Sequence, residues 1–170
     1  MAGPVVAAAC ILPEGYKLAG INDSKKLASP EREKLYQELI QHPEIYYAVG
    51  LVEATEIDEV NILQATLKAM AQAIERLKVR PDFVLVDGPQ VPPGDFLKEG
   101  LVDGDALSQA IAAASVIAKV TRDKIMVGYD ALYPEYGFKE HKGYGTSQHL
   151  EAIRQHGLSP IHRHTFRRTA

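Results

Sequence analysis

The chain has 170 residues, 46% of them hydrophobic, and a formal net charge of −3. That size and composition fit one globular domain with a substantial core. The charge excludes a uniformly basic nucleic-acid binder, so any such surface has to be a local patch. A single cysteine, Cys10, excludes an internal disulfide framework and suits a reducing cytoplasm, the expected compartment. No apolar run approaches the length of a membrane span, so no membrane association is expected, and no repeat or low-complexity linker divides the chain.

Met1-Ala2-Gly3-Pro4 leads straight into Val5-Val6-Ala7-Ala8-Ala9-Cys10-Ile11-Leu12. The run before Cys10 has no basic region ahead of it and is too short for a lipoprotein-type signal, so it reads as a strand entering the core. Asn22–Leu27 is a polar loop in which Lys25 and Lys26 form a solvated pair. Ser29-Pro30-Glu31 is a helix start, with Ser29 as cap, proline at the first helical position and an acid in the first turn. Leu35 and Leu39 continue a short amphipathic helix to about His42-Pro43, and Ile45–Val52 is β-branched and aromatic enough for a strand.

Val60, Leu63, Leu67, Met70, Ile74 and Leu77 recur every three or four residues and predict an amphipathic helix. Asn61, near its start, reads as a cap. Phe83-Val84-Leu85-Val86-Asp87-Gly88 is a short β-rich run ending in Asp-Gly. It predicts a buried strand that delivers the Asp87 carboxylate to its C-terminal edge, where open α/β sheets place ligands. Pro89–Gly100 is a loop, and Glu99–Gly104 returns a short strand to Asp105.

Gly104–Asp123, GDALSQAIAAASVIAKVTRD, predicts one helix that is small and apolar on nearly every face. Leu107, Ile111, Ala114, Ala118 and Thr121 make one stripe; Ala110, Ala113, Ile117 and Val120 make another. Such a helix is a buried one. Ser115 and Lys119, four residues apart, are its polar exceptions, and Asp105 at its opening has the ordinary reading of an N-cap. The helix continues through Leu132 and stops at Tyr133-Pro134.

Gly137–Gly145 is glycine-rich, with Lys139, His141, Lys142 and Tyr144 interleaved, a composition that suits phosphate and sugar as well as it suits a solvated loop. Thr146 or Ser147 caps a last helix closed by Gly157, and the tail from Ile161 to Arg168 reads as a basic surface. Its histidines have no acid or thiol at zinc-ligand spacing.

The strand ending LVDG, the GDALSQAIAAASVIAKVTRD helix and His141-Lys142-Gly143-Tyr144-Gly145-Thr146 resemble ribonuclease HII, the type 2 ribonuclease H. Asn22-Asp23-Ser24-Lys25-Lys26-Leu27 and Asn61-Ile62-Leu63-Gln64-Ala65-Thr66 extend the resemblance over nearly the whole chain, in the family's order. The resemblance implies a ribonuclease-H-like α/β domain over residues 1–170, a mixed sheet flanked by helices, with a C-terminal helix and tail from about residue 146. It implies that Asp87 and Asp105 are catalytic metal ligands for Mg²⁺ or Mn²⁺. Tyr144 is then the residue that packs on the sugar beside a ribonucleotide, with Lys142, Ser115, Lys119, Lys25, Lys26 and Asn61 near substrate.

In that family the Ala2-Gly3-Pro4-Val5-Val6 segment follows a first strand carrying Asp-Glu-x-Gly-Arg-Gly. That strand supplies half of the metal-binding carboxylates and a backbone surface that senses the ribose 2′-OH. The sequence opens where this motif would just have ended, so the expectation is a domain with its first strand missing, an unpaired edge beside Val5–Ile11 and impaired cutting.

Hard oxygen-seeking cations call for carboxylates, and two of them about 4 Å apart can supply a nucleophilic water and stabilise a leaving oxygen. The expected activity is endonucleolytic hydrolysis of the RNA strand of RNA–DNA hybrids, and 5′ of single ribonucleotides in duplex DNA, by a monomer acting in ribonucleotide excision. Two alternatives stand beside it. A non-catalytic remnant would bind hybrid duplex without cutting. An unrelated α/β phosphohydrolase would need a phosphate-cradling glycine loop, and no G-x-x-x-x-G-K-[ST] or strand-linked G-x-G-x-x-G is present.

Overall fold

The structure, a computed structural model, describes residues 1–17 and 28–166. In chain order the main elements are β1 (Val5–Ile11), α1 (Ser29–Gln41), β2 (Tyr46–Val52), α2 (Ala54–Val60), α3 (Ile62–Glu75), β3 (Phe83–Asp87) and β4 (Leu97–Leu101). They are followed by α4 (Gly104–Leu107), α5 (Gln109–Leu132), α6 (Phe138–His141) and α7 (Ser147–His156). No helix among the described residues is long and apolar enough to cross a membrane.

The class is α/β, and pairing is mixed as expected, but it falls into two ladders. β1 and β2 pair antiparallel, Val5 opposite Val52 through Ile11 opposite Tyr46. β3 and β4 pair parallel, Phe83 opposite Leu97 through Asp87 opposite Leu101. Between β1 and β3 lies an apolar cavity of about 300 Å³, closed by Met70 and Ile74 of α3 and by Ala110, Ile111, Ala114 and Ser115 of α5. Cys10 borders it, and burial pushes its thiol pKa up to about 12, so it stays protonated rather than nucleophilic.

Helix α5 is the spine. Ile111, Ala112, Ala113, Val116, Ile117 and Val120 are buried, and from Ala112 onward they pack with Leu35 and Leu39 of α1 and with Ile45. Each large side chain removed from water there contributes roughly 1.5–3 kcal/mol. The helix begins later than its sequence pattern suggests. Ser108, at φ −131°, leaves helical geometry, and its hydroxyl accepts from the Ile111 N–H at 3.5 Å, so Ser108 caps α5 and α4 stands alone. Leu107 therefore drops out of the apolar stripe and is exposed.

Other local readings shift for similar reasons. Ala28, not Ser29, is the N-cap of α1, and Glu31 accepts from the Ala28 N–H at 3.2 Å. Asn61, at φ 70°, separates α2 from α3, and its Oδ1 accepts from the N–H groups of Leu63 and Gln64. The side of α3 turned to β2 is built from alanines, because the two run very close together. A Cβ on Gly50 would lie 1.9 Å from the Ala69 carbonyl oxygen. β3 is not the buried strand its composition predicts: Phe83, Leu85 and Asp87 are exposed and only Val86 is buried.

Candidate functional site: an acidic strand end and a cation-flanked tyrosine

Asp87 ends β3, and the chain turns at once through Gly88, at φ 94°, whose N–H donates to Leu101 O at 2.7 Å. After β4, Asp103 adopts φ 54° and brings Gly104 back over the end of β3. The Gly104 N–H donates to Asp87 Oδ1 at 3.1 Å. The approach needs glycine: a Cβ there would lie 2.7 Å from Ile111 Cδ1, 3.3 Å from Leu101 Cβ and 3.4 Å from Asp87 Cα. Asp105 is the next residue and is buried, whereas Asp87 faces solvent. Asp105 thus lies inside the turn of α4 rather than capping the long helix.

Two aspartates carried to one strand end, Asp105 through its neighbour Gly104, are residue types that suit a cation taking oxygen ligands. They provide part of a ligand set. Among the described residues no group of three histidine, cysteine, aspartate or glutamate side chains is arranged to hold a metal ion.

Farther along α5, Lys119 Nζ lies 5.4 Å and Arg122 Cζ 5.2 Å from the centre of the Tyr144 ring, which is exposed. Lys119 also pairs with Asp123 at 2.8 Å. The rise of the helix from Ile111, beside Gly104, to Lys119 is about 12 Å, so α5 spaces the acidic end from the tyrosine.

The tyrosine loop is held from within. Arg122 donates to the carbonyls of Pro4 at 3.1 Å, Lys142 at 3.0 Å and Ala2 at 3.2 Å. Arg163 donates to those of Gly3 at 2.9 Å and Pro4 at 3.2 Å. Burial, then the neighbouring Arg122, pulls the Arg163 pKa down to about 10, which leaves it charged at neutral pH. Gly143, at φ 79°, lies where a Cβ would come 2.6 Å from Ala2 O. Lys142, at φ 50°, donates from its Nζ to Lys139 O.

Of the residues singled out in the sequence, Asp87 and Asp105 are brought to one place, and Lys119, Lys142 and Tyr144 to another. Ser115 borders the apolar cavity, and Asn61 caps α3. Lys25 and Lys26 lie outside the described residues. The tail corrects its sequence reading: His162 and Arg163 are interior, not a basic surface. Arg122 was missed because an arginine in a helix that continues past its apolar stripe looks like any solvated charge. Its three carbonyl partners are brought to it only by the tertiary fold. The signal available was its spacing of three from Lys119 on one helix face.

The family model described as Ribonuclease HII matches residues 1–169. The chain is 58% identical to a ribonuclease HII of Desulfitobacterium hafniense over 98% of its own length, spanning 64% of that protein. It is 52% identical to one from Chlamydia pneumoniae, of which it spans 77%. Among solved structures it is similar to the ribonuclease H2 of Pyrococcus horikoshii, with a TM-score of 0.74 at 28% identity, over 96% of this chain and 89% of that one. It is also similar to the structure described as the PCNA:RNase HII complex of Archaeoglobus fulgidus, with a TM-score of 0.76 at 26% identity, over 96% and 86%. With the acidic strand end, the long small-residue helix and the Lys142-Gly143-Tyr144 loop in place, the chain belongs to the ribonuclease HII family.

Proposed function

We propose that this chain, as a ribonuclease HII, hydrolyses the RNA strand of RNA–DNA hybrids and cuts 5′ of single ribonucleotides in duplex DNA. The observation that supports the reading is the Gly104 N–H to Asp87 Oδ1 contact, which sets the residue before Asp105 against the Asp87 carboxylate. Asp87 and Asp105 would hold Mg²⁺ or Mn²⁺, with ligands contributed beyond these two. When bound, such ions activate water and stabilise the departing oxygen of a phosphodiester.

The chain's own residues supply position. Tyr144 offers an exposed ring for a sugar, and Lys119 and Lys142 supply cationic charge for phosphates. Gly104 lets the backbone close on Asp87 without a side chain between them.

Binding of hybrid without cutting is the competing reading, and charge balance favours it. Two carboxylates against two divalent cations leave a net positive site that must draw further ligands from elsewhere. One assay separates the two. A DNA duplex with one ribonucleotide is incubated with the chain and Mg²⁺ or Mn²⁺, beside Asp87→Asn and Asp105→Asn. The proposal expects cleavage 5′ of the ribonucleotide and a loss on the order of a thousandfold in either variant, since groups acting together fail together. Hybrid retention with no cleavage under either metal would establish the binding-only reading instead.

A further inference from the structure

Three buried histidines meet beneath Tyr144: His141, His149 and His162. Their proton positions follow from one backbone donor. The Ser159 N–H donates to His162 Nδ1 at 2.9 Å, so that nitrogen bears the lone pair and the neutral ring carries its proton on Nε2. The Ser159 hydroxyl also lies 2.8 Å from the same Nδ1. His162 Nε2 is 2.9 Å from His149 Nε2, which must then accept, placing the His149 proton on Nδ1. His149 Nδ1 in turn is 2.8 Å from the Tyr144 carbonyl oxygen. The direction is fixed from end to end: Ser159 to His162 to His149 to Tyr144.

A second ring holds the residue before Tyr144. The Gly143 N–H donates to His141 Nδ1 at 3.2 Å, so His141 donates from Nε2 to Tyr136 O at 2.8 Å. The His141 and His149 rings stack at 4.4 Å between centres, and Phe138 packs against all three imidazoles.

We propose that His149, oriented by His162, is a positioning residue that fixes the Tyr144 backbone and so the placement of its ring. The relay works only while its rings are neutral, because a protonated His149 would turn Nε2–H against the Nε2–H of His162. Of the groups around it, His141 and the Met1 amino group oppose that proton. Arg122 and Arg163 hold the adjoining Ala2–Pro4 backbone, and the Met1 amino group donates to Gly143 O at 2.9 Å. Tyr136, in the 3₁₀ turn Pro134–Tyr136, packs on His162, and the ring of His156 of α7 lies 6.1 Å from that of Tyr136.

Burial, chiefly, lowers the His149 pKa to about 4, with His141 and the Met1 amino group acting in the same direction against the Tyr144 carbonyl. The folded value lies below the ordinary 6.5, so the relay's contribution to stability is complete above pH 6.5. It is lost progressively as pH falls toward 4.

The test begins without any variant. Long-range ¹H–¹⁵N correlation of the imidazoles in the whole chain at pH 7.5 should show His149 protonated on Nδ1 and His141 and His162 on Nε2. An Nε2–H tautomer at His149 would overturn the relay. Two variants then read its effect on the loop. His149→Asn keeps a donor at the Nδ1 place, whereas His149→Leu removes it. The amide shifts of Gly143–Gly145 should stay near wild type in the first and move in the second. Equal shifts in both would refute the positioning role.

The functional arm rests on the proposed ribonuclease reading. There, His149→Leu should lower cleavage at a single ribonucleotide by about tenfold, with kcat and KM for a continuous RNA–DNA hybrid changing less. A wild-type chain that shows the expected tautomers yet cuts nothing would leave the relay standing and remove the ribonuclease reading. Cleavage together with the wrong tautomer would do the opposite.

Discussion

The acidic strand end and the tyrosine loop are built to different standards. Asp87 lies on an exposed two-stranded ladder, held by one amide from Gly104 and by the tight backbone approach that glycine allows. Tyr144 is equally exposed, yet its loop rests on buried rings, two arginines and the Ala2–Pro4 segment. The difference concerns what each must resist. A ring that packs on a sugar recognises shape and needs a fixed backbone beneath it, whereas carboxylates are drawn into place by the charge they bind. On the proposed function, pre-organisation is therefore concentrated where recognition would take place.

The largest expected effect tests the support of the loop. Phe138 is fully buried against His141, His149 and His162, so Phe138→Ala should cost about 3–5 kcal/mol in chemical denaturation. A loss below about 1 kcal/mol would mean that the histidine layer holds the loop without it. Next comes the acidic end. Gly104→Ala puts a methyl group against Leu101, Ile111 and Asp87, and should cost roughly 1–3 kcal/mol. It should also reduce metal-dependent cleavage more than hybrid binding, because it parts Asp87 from Asp105. Equal losses in both would show that the glycine serves packing alone.

The smallest effect should be at the loop's surface. Lys142→Ala should leave stability nearly unchanged and reduce the salt slope of hybrid binding by about one unit. An unchanged slope would remove the loop from the phosphate path.

Much of this layout was legible in the sequence, for reasons that explain what was not. β1 and the end of α5 at Leu132 follow from local periodicity and from Pro134, and local signals survive folding. The Asp87-Gly88 strand end and the glycine-rich loop were readable because glycine and proline mark turns. The break at Ser108 was hidden, because Ala, Ile and Leu on both sides give one continuous apolar pattern. The exposure of β3 was hidden too, since a β-rich run carries no record of how many neighbours it finds. The histidine relay lay beyond reach for a plainer reason. Its members come from α6, α7 and the tail, and the buried Arg163 beside it meets Gly3 across 160 positions of sequence. Nothing local distinguishes His149 and His162 from solvated histidines. The basic look of Ile161–Arg168 pointed outward, when His162 and Arg163 turn inward.

The central claim is that Asp87 and Asp105 act together on a cation, and Mn²⁺ titration followed by amide line broadening tests it most directly. The N–H of Gly104, bonded to Asp87, is the reporter. The account predicts that substoichiometric Mn²⁺ broadens Gly104 and its neighbours first, and that Asp87→Asn and Asp105→Asn each abolish the effect. Broadening that begins elsewhere and leaves Gly104 sharp, or that persists unchanged in both variants, would contradict it.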